Sequence, residues 1–305
     1  MKSKRDGFVR WKLLFIMMIE MTTMNSSVQA KTAEDATRVV LFGGSSVFTS
    51  YLPESTKHHI VLAEQLKMAY PQQKIEVANW ADNGEYIARY LLKGAYERQI
   101  RMQPGIDVAI IRFGTNDQKR MKEPEYYQQM LKFLTLLKND FPGVAIILET
   151  GIYMDFPKHY TFDRNLALDP YWEVSRKIAA QFDYPLVDYY AVAKQEAAAG
   201  NWDIRVRKLG KEFILDAGHD EGRDHDPKWF TDIHPNPVGV RLAVREEIRV
   251  LKNVFPEKLP AGQKAVKREP RDGDYYSQYL NFPAERLVTA SNNGNLETDL
   301  QEATR

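Results

Sequence analysis

The sequence has no cysteine among its 305 residues. A disulfide framework, a thiolate zinc site, an iron–sulfur cluster and a thiol nucleophile are excluded together. Any covalent catalysis must therefore run through oxygen or nitrogen. An excess of one charge is also missing: 42 Lys and Arg against 41 Asp and Glu leave a formal charge of +1. That is too little to create a field over the whole chain for a polyanion, so nucleic acid is not an expected partner. Long apolar runs are scarce. The run Leu13 to Ile19 is cut by Glu20, far short of the roughly 20 residues a membrane span needs, so no stable membrane span is expected. What is present is 44% hydrophobic residues and 27% charged ones in even mixture. This is enough apolar material for a large core and excludes disorder throughout.

The first thirty residues have the succession of a targeting segment. Lys2, Lys4, Arg5, Arg10 and Lys12 precede the apolar run, and Val28-Gln29-Ala30 offers a small-residue cleavage site. A signal peptide over 1–30 is expected, with a mature chain from about Lys31 in the periplasm or secreted; a leader on a cytoplasmic protein is the alternative. A domain over 31–258 should follow. Residues 259–305, of mixed charge and little periodicity, should form a polar, partly disordered tail, with Tyr275, Tyr276, Tyr279 and Phe282 able to anchor part of it.

From Arg38 onward, short apolar runs alternate with longer amphipathic stretches, the pattern of a parallel sheet with crossover helices. Strands are expected at about 39–44, 74–81, 107–113, 144–150 and 185–190, and helices near 57–70, 85–100, 124–141 and 169–183. The third helix is the clearest. Tyr127, Met130, Leu131, Leu134, Leu137 and Phe141 lie at helical spacing between Pro124 and Pro142-Gly143. A further helix follows Pro237, with Val240, Val244, Ile248, Leu251 and Phe255 on one stripe. The fold class is α/β, a single three-layer α/β/α domain. Residues 201–233 break the rhythm and read as a long functional loop or an insertion.

In such a sheet, ligands bind beyond the carboxyl ends of the strands. The first strand ends in Gly43-Gly44-Ser45-Ser46, a sharp turn that presents a serine hydroxyl; alone it is an ordinary turn. The second ends in Asn79-Trp80-Ala81-Asp82-Asn83-Gly84, where a glycine N–H can approach a ligand. The third leads into Gly114-Thr115-Asn116-Asp117, where Asn116 can donate a side-chain N–H and Asp117 can cap the turn; an Asx-turn is the plain alternative. Asp232-Ile233-His234-Pro235-Asn236-Pro237 directly precedes the last helix. A histidine there can reach the first strand's serine if that helix packs beside it.

Together and in this order, the four pieces resemble the SGNH (GDSL-type) hydrolase family, over about Arg38 to Phe255. The resemblance implies a flavodoxin-like, five-stranded parallel sheet in the order 2-1-3-4-5. It also implies a serine ester hydrolase working through an acyl-serine intermediate, with no cofactor and no metal. Carried across, Ser45 is the nucleophile and His234 the base, and the Ser45 N–H, the Gly84 N–H and the Asn116 side chain form an oxyanion hole. A hydroxyl beside an imidazole and preorganised donors is the chemistry such a reaction needs.

Two departures stand out. Gly44 occupies the place of the family's usual aspartate. The acid that orients the histidine usually lies three residues before it, but position 231 is Thr231 and the acid is Asp232. Asp232 can serve if the segment is extended; otherwise Asp224 or Asp226 substitutes, or Ser45 and His234 act as a dyad. The expected substrate is a small-molecule or glycan ester, with short acyl groups such as acetyl first. A catalytically impaired relative that binds glycans or assists acyl transfer is the second reading, and a lipase or lysophospholipase the third. The acidic, histidine-containing loop 219–226 matches no metal-site spacing and reads as solvated. Arg112, just before the third block, is expected in a structural ion pair ahead of substrate contact.

Overall fold

The computed structural model describes residues 36–92, 96–153, 164–200, 207–209, 212–214 and 234–262. Five apolar runs form β1 (Thr37–Gly43), β2 (Ile75–Asn79), β3 (Val108–Arg112), β4 (Ala145–Glu149) and β5 (Leu186–Val187). They pair in parallel in the order β2-β1-β3-β4-β5, as the strand–helix alternation predicts. Every residue of central β3 is buried, whereas edge strand β2 is at least partly exposed along its length. A strand covered on both faces reads as a continuous hydrophobic run for this reason.

The helices are α1 (Ser45–Phe48), α2 (His58–Ala69), α3 (Ile87–Leu92), α4 (Glu123–Asp140), α5 (Arg164–Phe182), α6 (Tyr189–Ala198) and α7 (Pro237–Val254). Helix α7 packs on α2 and α6, while α4 packs between α3 and α5. Right-handed crossovers place these groups on opposite faces of the sheet. Helix α4 buries Tyr126, Met130, Leu131, Phe133, Leu134 and Leu137, each contributing about 1.5–3 kcal/mol of apolar burial. The expected stripe is buried at Met130, Leu131, Leu134, Leu137 and Phe141 and differs only in its first tyrosine. Tyr126 points inward, and Tyr127 donates its hydroxyl to Gln181 at 2.7 Å near the surface. Phe133 meets Phe42 and Phe113 edge-on, with ring centroids 5.4 and 6.0 Å apart, locking this helix over β1 and β3.

The expected helix over 85–100 is two pieces, α3 and a π-helical turn at Tyr96–Ile100. The expected strand over 185–190 stops at Val187. Asp188 then caps a helix, its carboxylate accepting from Ala191 N–H at 3.2 Å. Residues 201–233 include an antiparallel pair, β6 (Arg207–Leu209) with β7 (Glu212–Ile214). The expected leader over 1–30 and most of the expected tail lie outside the described residues. No helix among the described residues is long and apolar enough to cross a membrane.

Candidate active site

Ser45, Gly84, Asn116 and His234 all lie at the carboxyl edge of the sheet, each just past a strand or just before α7. The register makes this unavoidable: Gly43 pairs with Arg112 and Leu41 with Asn79, so the three loops leave the sheet side by side. Backbone bonds tie them further. Asp82 N–H donates to the Gly43 carbonyl at 3.2 Å, and Trp80 N–H to the Leu41 carbonyl at 2.8 Å.

Ser45 opens the single turn α1, whose N–H groups of Val47 and Phe48 both return to the Gly44 carbonyl. Its hydroxyl lies 2.8 Å from Nε2 of His234. Ser45 is partly exposed and His234 is buried, so the hydroxyl faces the solvent edge and the imidazole stands behind it. An imidazole nitrogen at that distance can take the proton as the oxygen attacks a carbonyl.

Several features among the described residues hold His234. Asn236 caps α7 through its side-chain oxygen, which accepts from Val238 N–H at 2.9 Å and Gly239 N–H at 3.1 Å, and Pro237 starts the helix with a preset φ. Tyr51 donates its hydroxyl to the Pro235 carbonyl at 2.8 Å. The Tyr51 ring also meets the His234 ring nearly edge-on, 5.2 Å between centroids at 80°. No sequence signal marks Tyr51, because its partner is 184 residues away. Asp232, Asp224 and Asp226, the expected orienting acids, lie outside the described residues, as does Thr231.

Asn116 gives one amide hydrogen to the Glu85 carbonyl at 2.9 Å, which leaves the other for an incoming oxygen. Asp117 does more than cap its own turn. It accepts from Gly114 N–H at 2.9 Å and reaches across to Ile87 N–H at 2.8 Å, binding the second loop to the third. Burial raises its pKa to about 6 against those bonds. Gly84 holds φ +69°, a left-handed conformation that glycine adopts without strain, in the exposed loop that Asn116 and Asp117 anchor.

The sequence matches the GDSL-like lipase/acylhydrolase family over residues 41–242. The chain belongs to this family. It is accordingly a carboxylic ester hydrolase. Among solved structures this GDSL-family chain is similar to Axe2, an acetylxylan esterase from Geobacillus stearothermophilus, at 20% identity and a TM-score of 0.50, over 72% of this chain and 96% of that one. It is also similar to a lipolytic G-D-S-L family protein from Veillonella parvula, at 15% identity and a TM-score of 0.51, over 73% of this chain and 100% of that one. At such identities the likeness is one of fold. No curated protein matches the chain at a significant level.

The family's usual first-block aspartate has no room here. A Cβ on Gly44 would stand 2.8 Å from the Asn116 side-chain nitrogen and 3.3 Å from the Glu85 carbonyl oxygen. In this GDSL-family chain the Asn116 amide lies against the Gly44 backbone, where a side chain would otherwise project. The glycine therefore belongs to the packing of the proposed oxyanion donor.

Proposed function

We propose that this GDSL-family protein is an exported serine esterase that removes short acyl groups, acetyl first, from a carbohydrate, acting in the periplasm or outside the cell. Ser45 attacks the ester carbonyl as Nε2 of His234 takes its proton. The tetrahedral oxyanion receives the Ser45 N–H, the Gly84 N–H and the free amide hydrogen of Asn116. The imidazolium then protonates the leaving alcohol, and water, activated by the same imidazole, releases the acid from the acyl-serine. Asp232 orients the histidine. The observation that carries this reading is the 2.8 Å contact of Ser45 Oγ with His234 Nε2 at the carboxyl edge of the sheet. The acetyl and carbohydrate parts take support from Axe2, an acetylxylan esterase, of which a serine-to-alanine form is described as a catalytic mutant. Export takes support from the basic, apolar and small-residue succession at 2–30.

Hydrolysis of p-nitrophenyl acetate, of longer p-nitrophenyl esters and of acetylated xylan tests the reading. Activity that falls with acyl length, with acetate released from xylan and lost in Ser45→Ala and His234→Ala, is expected. Full activity in Ser45→Ala overturns the mechanism, and a preference for long acyl chains replaces the substrate class with a lipid.

A further inference from the structure

Beneath the nucleophile turn, four ionisable side chains from four elements meet out of water: His58 of α2, Arg112 of β3, Glu149 of β4 and Glu247 of α7, none more than 3% exposed. Arg112 Nη2 lies 2.5 Å from Glu149 Oε1 and 3.5 Å from Glu247 Oε1. Glu247 Oε1 is 2.7 Å from His58 Nε2. The guanidinium carbon stands 4.9 Å from the centre of the Tyr189 ring, on α6. Among the described residues, one cation faces two carboxylates. Burial and the nearby guanidinium hold His58 neutral, with its pKa down to about 3. Burial raises both carboxyls to about 7 against the pull of Arg112. Both carboxyls lie beside the same guanidinium nitrogen, Nη2 of Arg112, so one proton held by the pair balances the cluster.

Such a cluster is a costly way to fill a core, since apolar side chains of the same volume are often as stable or more so. Its connections lead to the catalytic elements. Arg112 Nη1 donates to the Ser46 carbonyl, 3.4 Å away, in the turn that carries Ser45. His58 N–H donates to Thr49 Oγ1 at 3.0 Å, at the end of that same turn. Glu247 lies on α7, the helix that His234 precedes. The cluster thus joins the element bearing the nucleophile to the element bearing the base.

We propose that Arg112, with Glu149 and Glu247, is a positioning residue that sets the nucleophile turn against α7 and so fixes the approach of Ser45 to His234. The proposal rests on the serine-esterase reading above. The shared proton gives it a second consequence. Among the groups facing the pair, His58 is neutral and the tyrosines Tyr51 and Tyr189 are held well above their usual range by burial. Arg112 is therefore the cation of the cluster. When the proton leaves above neutral pH, a net negative charge appears beneath the turn where an oxyanion must form, and turnover should fall.

The test compares wild type with Arg112→Lys, Arg112→Met, Arg112→Met/Glu149→Met and Glu247→Gln. It measures thermal melting, kcat and KM on p-nitrophenyl acetate, and the rate at which a fluorophosphonate labels Ser45. Misplacement of a reacting group by about 1 Å costs about 100-fold, so kcat and the labelling rate should both fall by about that factor in Arg112→Met. KM should change little, and Arg112→Lys should recover part of the loss. The double variant should regain melting temperature without regaining kcat. Glu247→Gln should extend activity to higher pH. A double variant that melts like wild type and labels as fast as wild type overturns the proposal, as does a Glu247→Gln profile that superimposes on wild type. Absence of labelling in wild type overturns the serine-esterase reading itself, and the proposal with it.

Discussion

The two ends of the sheet solve the same electrostatic problem differently. At the carboxyl edge, Arg112 faces Glu149 and Glu247 with no access to water. At the amino edge, Arg101 faces Glu97 at 2.9 Å and Asp140 at 3.3 Å, and its side chain remains 12% exposed. Asp140 also accepts from the Tyr96 hydroxyl at 3.0 Å. Both ends set one arginine against two carboxylates. At the amino edge a tyrosine hydroxyl and the partial exposure of Arg101 temper the charge of the carboxylates, whereas at the carboxyl edge both carboxylates are closed off from water. Burial, more than the number of charges, decides how much the loss of such an arginine costs.

Removing each arginine should show this contrast at its largest. Arg112→Met strands two buried carboxylates and should cost about 3–5 kcal/mol, whereas Arg101→Met should cost about 1–2 kcal/mol, both read by urea unfolding. Equal costs would erase the distinction. The pH dependence comes next. Glu149 and Glu247 have folded values raised to about 7 from the ordinary 4.5. The stability they contribute is whole below about 4.5 and is lost as pH rises through 7. His58, lowered to about 3 from 6.5, has the opposite sign: its contribution is whole above 6.5 and is lost as pH falls toward 3. Between pH 5 and pH 8 one proton held by the pair should therefore cost the fold about 2.5 kcal/mol, of which His58 returns about 2 kcal/mol over the same range. Glu247→Gln should remove the pair's share, so that wild type and variant differ in this pH slope by about 2–3 kcal/mol, while His58 and Asp117, the latter raised to about 6, act alike in both.

The amino edge should respond in stability alone. Gln73 there donates to Thr37 Oγ1 and to the Leu259 carbonyl and accepts from Leu259 N–H. Gln73→Ala should cost about 1–2 kcal/mol with kcat unchanged. At the carboxyl edge, by contrast, Gly44→Ala should push the Asn116 amide aside and lower kcat about tenfold, less than the 10²–10³ that follows complete loss of such a donor, with little change in melting. The smallest effect is expected from Tyr51→Phe, which keeps the ring against His234 and loses one bond to Pro235. It should lower kcat by about two- to threefold, or about 0.5 kcal/mol. A larger loss would make that hydroxyl a main support of the histidine.

The sheet was legible because each strand is a compact apolar run ending in glycine or a polar turn, and the period changes cleanly to helical between them. The helix after Asp188 was not, because Tyr189 and Tyr190 continue the apolar run of Pro185 to Val187 and mask the cap. Ser45, Asn116 and His234 were legible as candidates because each immediately follows or precedes an element and stands where the family resemblance calls for its side chain. Tyr51, Glu149, Glu247 and His58 were missed for a common reason. Each looks locally like an ordinary helix, strand or turn residue, and its meaning depends on partners 37 to 189 positions away. Arg112 drew notice only as a charge within the buried run Val108 to Phe113.

The bonds made by Gln73 also fix how the domain is hung. Thr37, where the chain enters β1, and Leu259, where it leaves the last turn, are held by the same side chain. That point lies at the start of β1, and Ser45 lies just past its other end, a seven-residue strand away, or roughly 20 Å. A tether, an affinity tag or a surface support joined on either side of the domain therefore pulls at one pole. It leaves the opposite pole, with Ser45 and His234, turned away from the point of attachment.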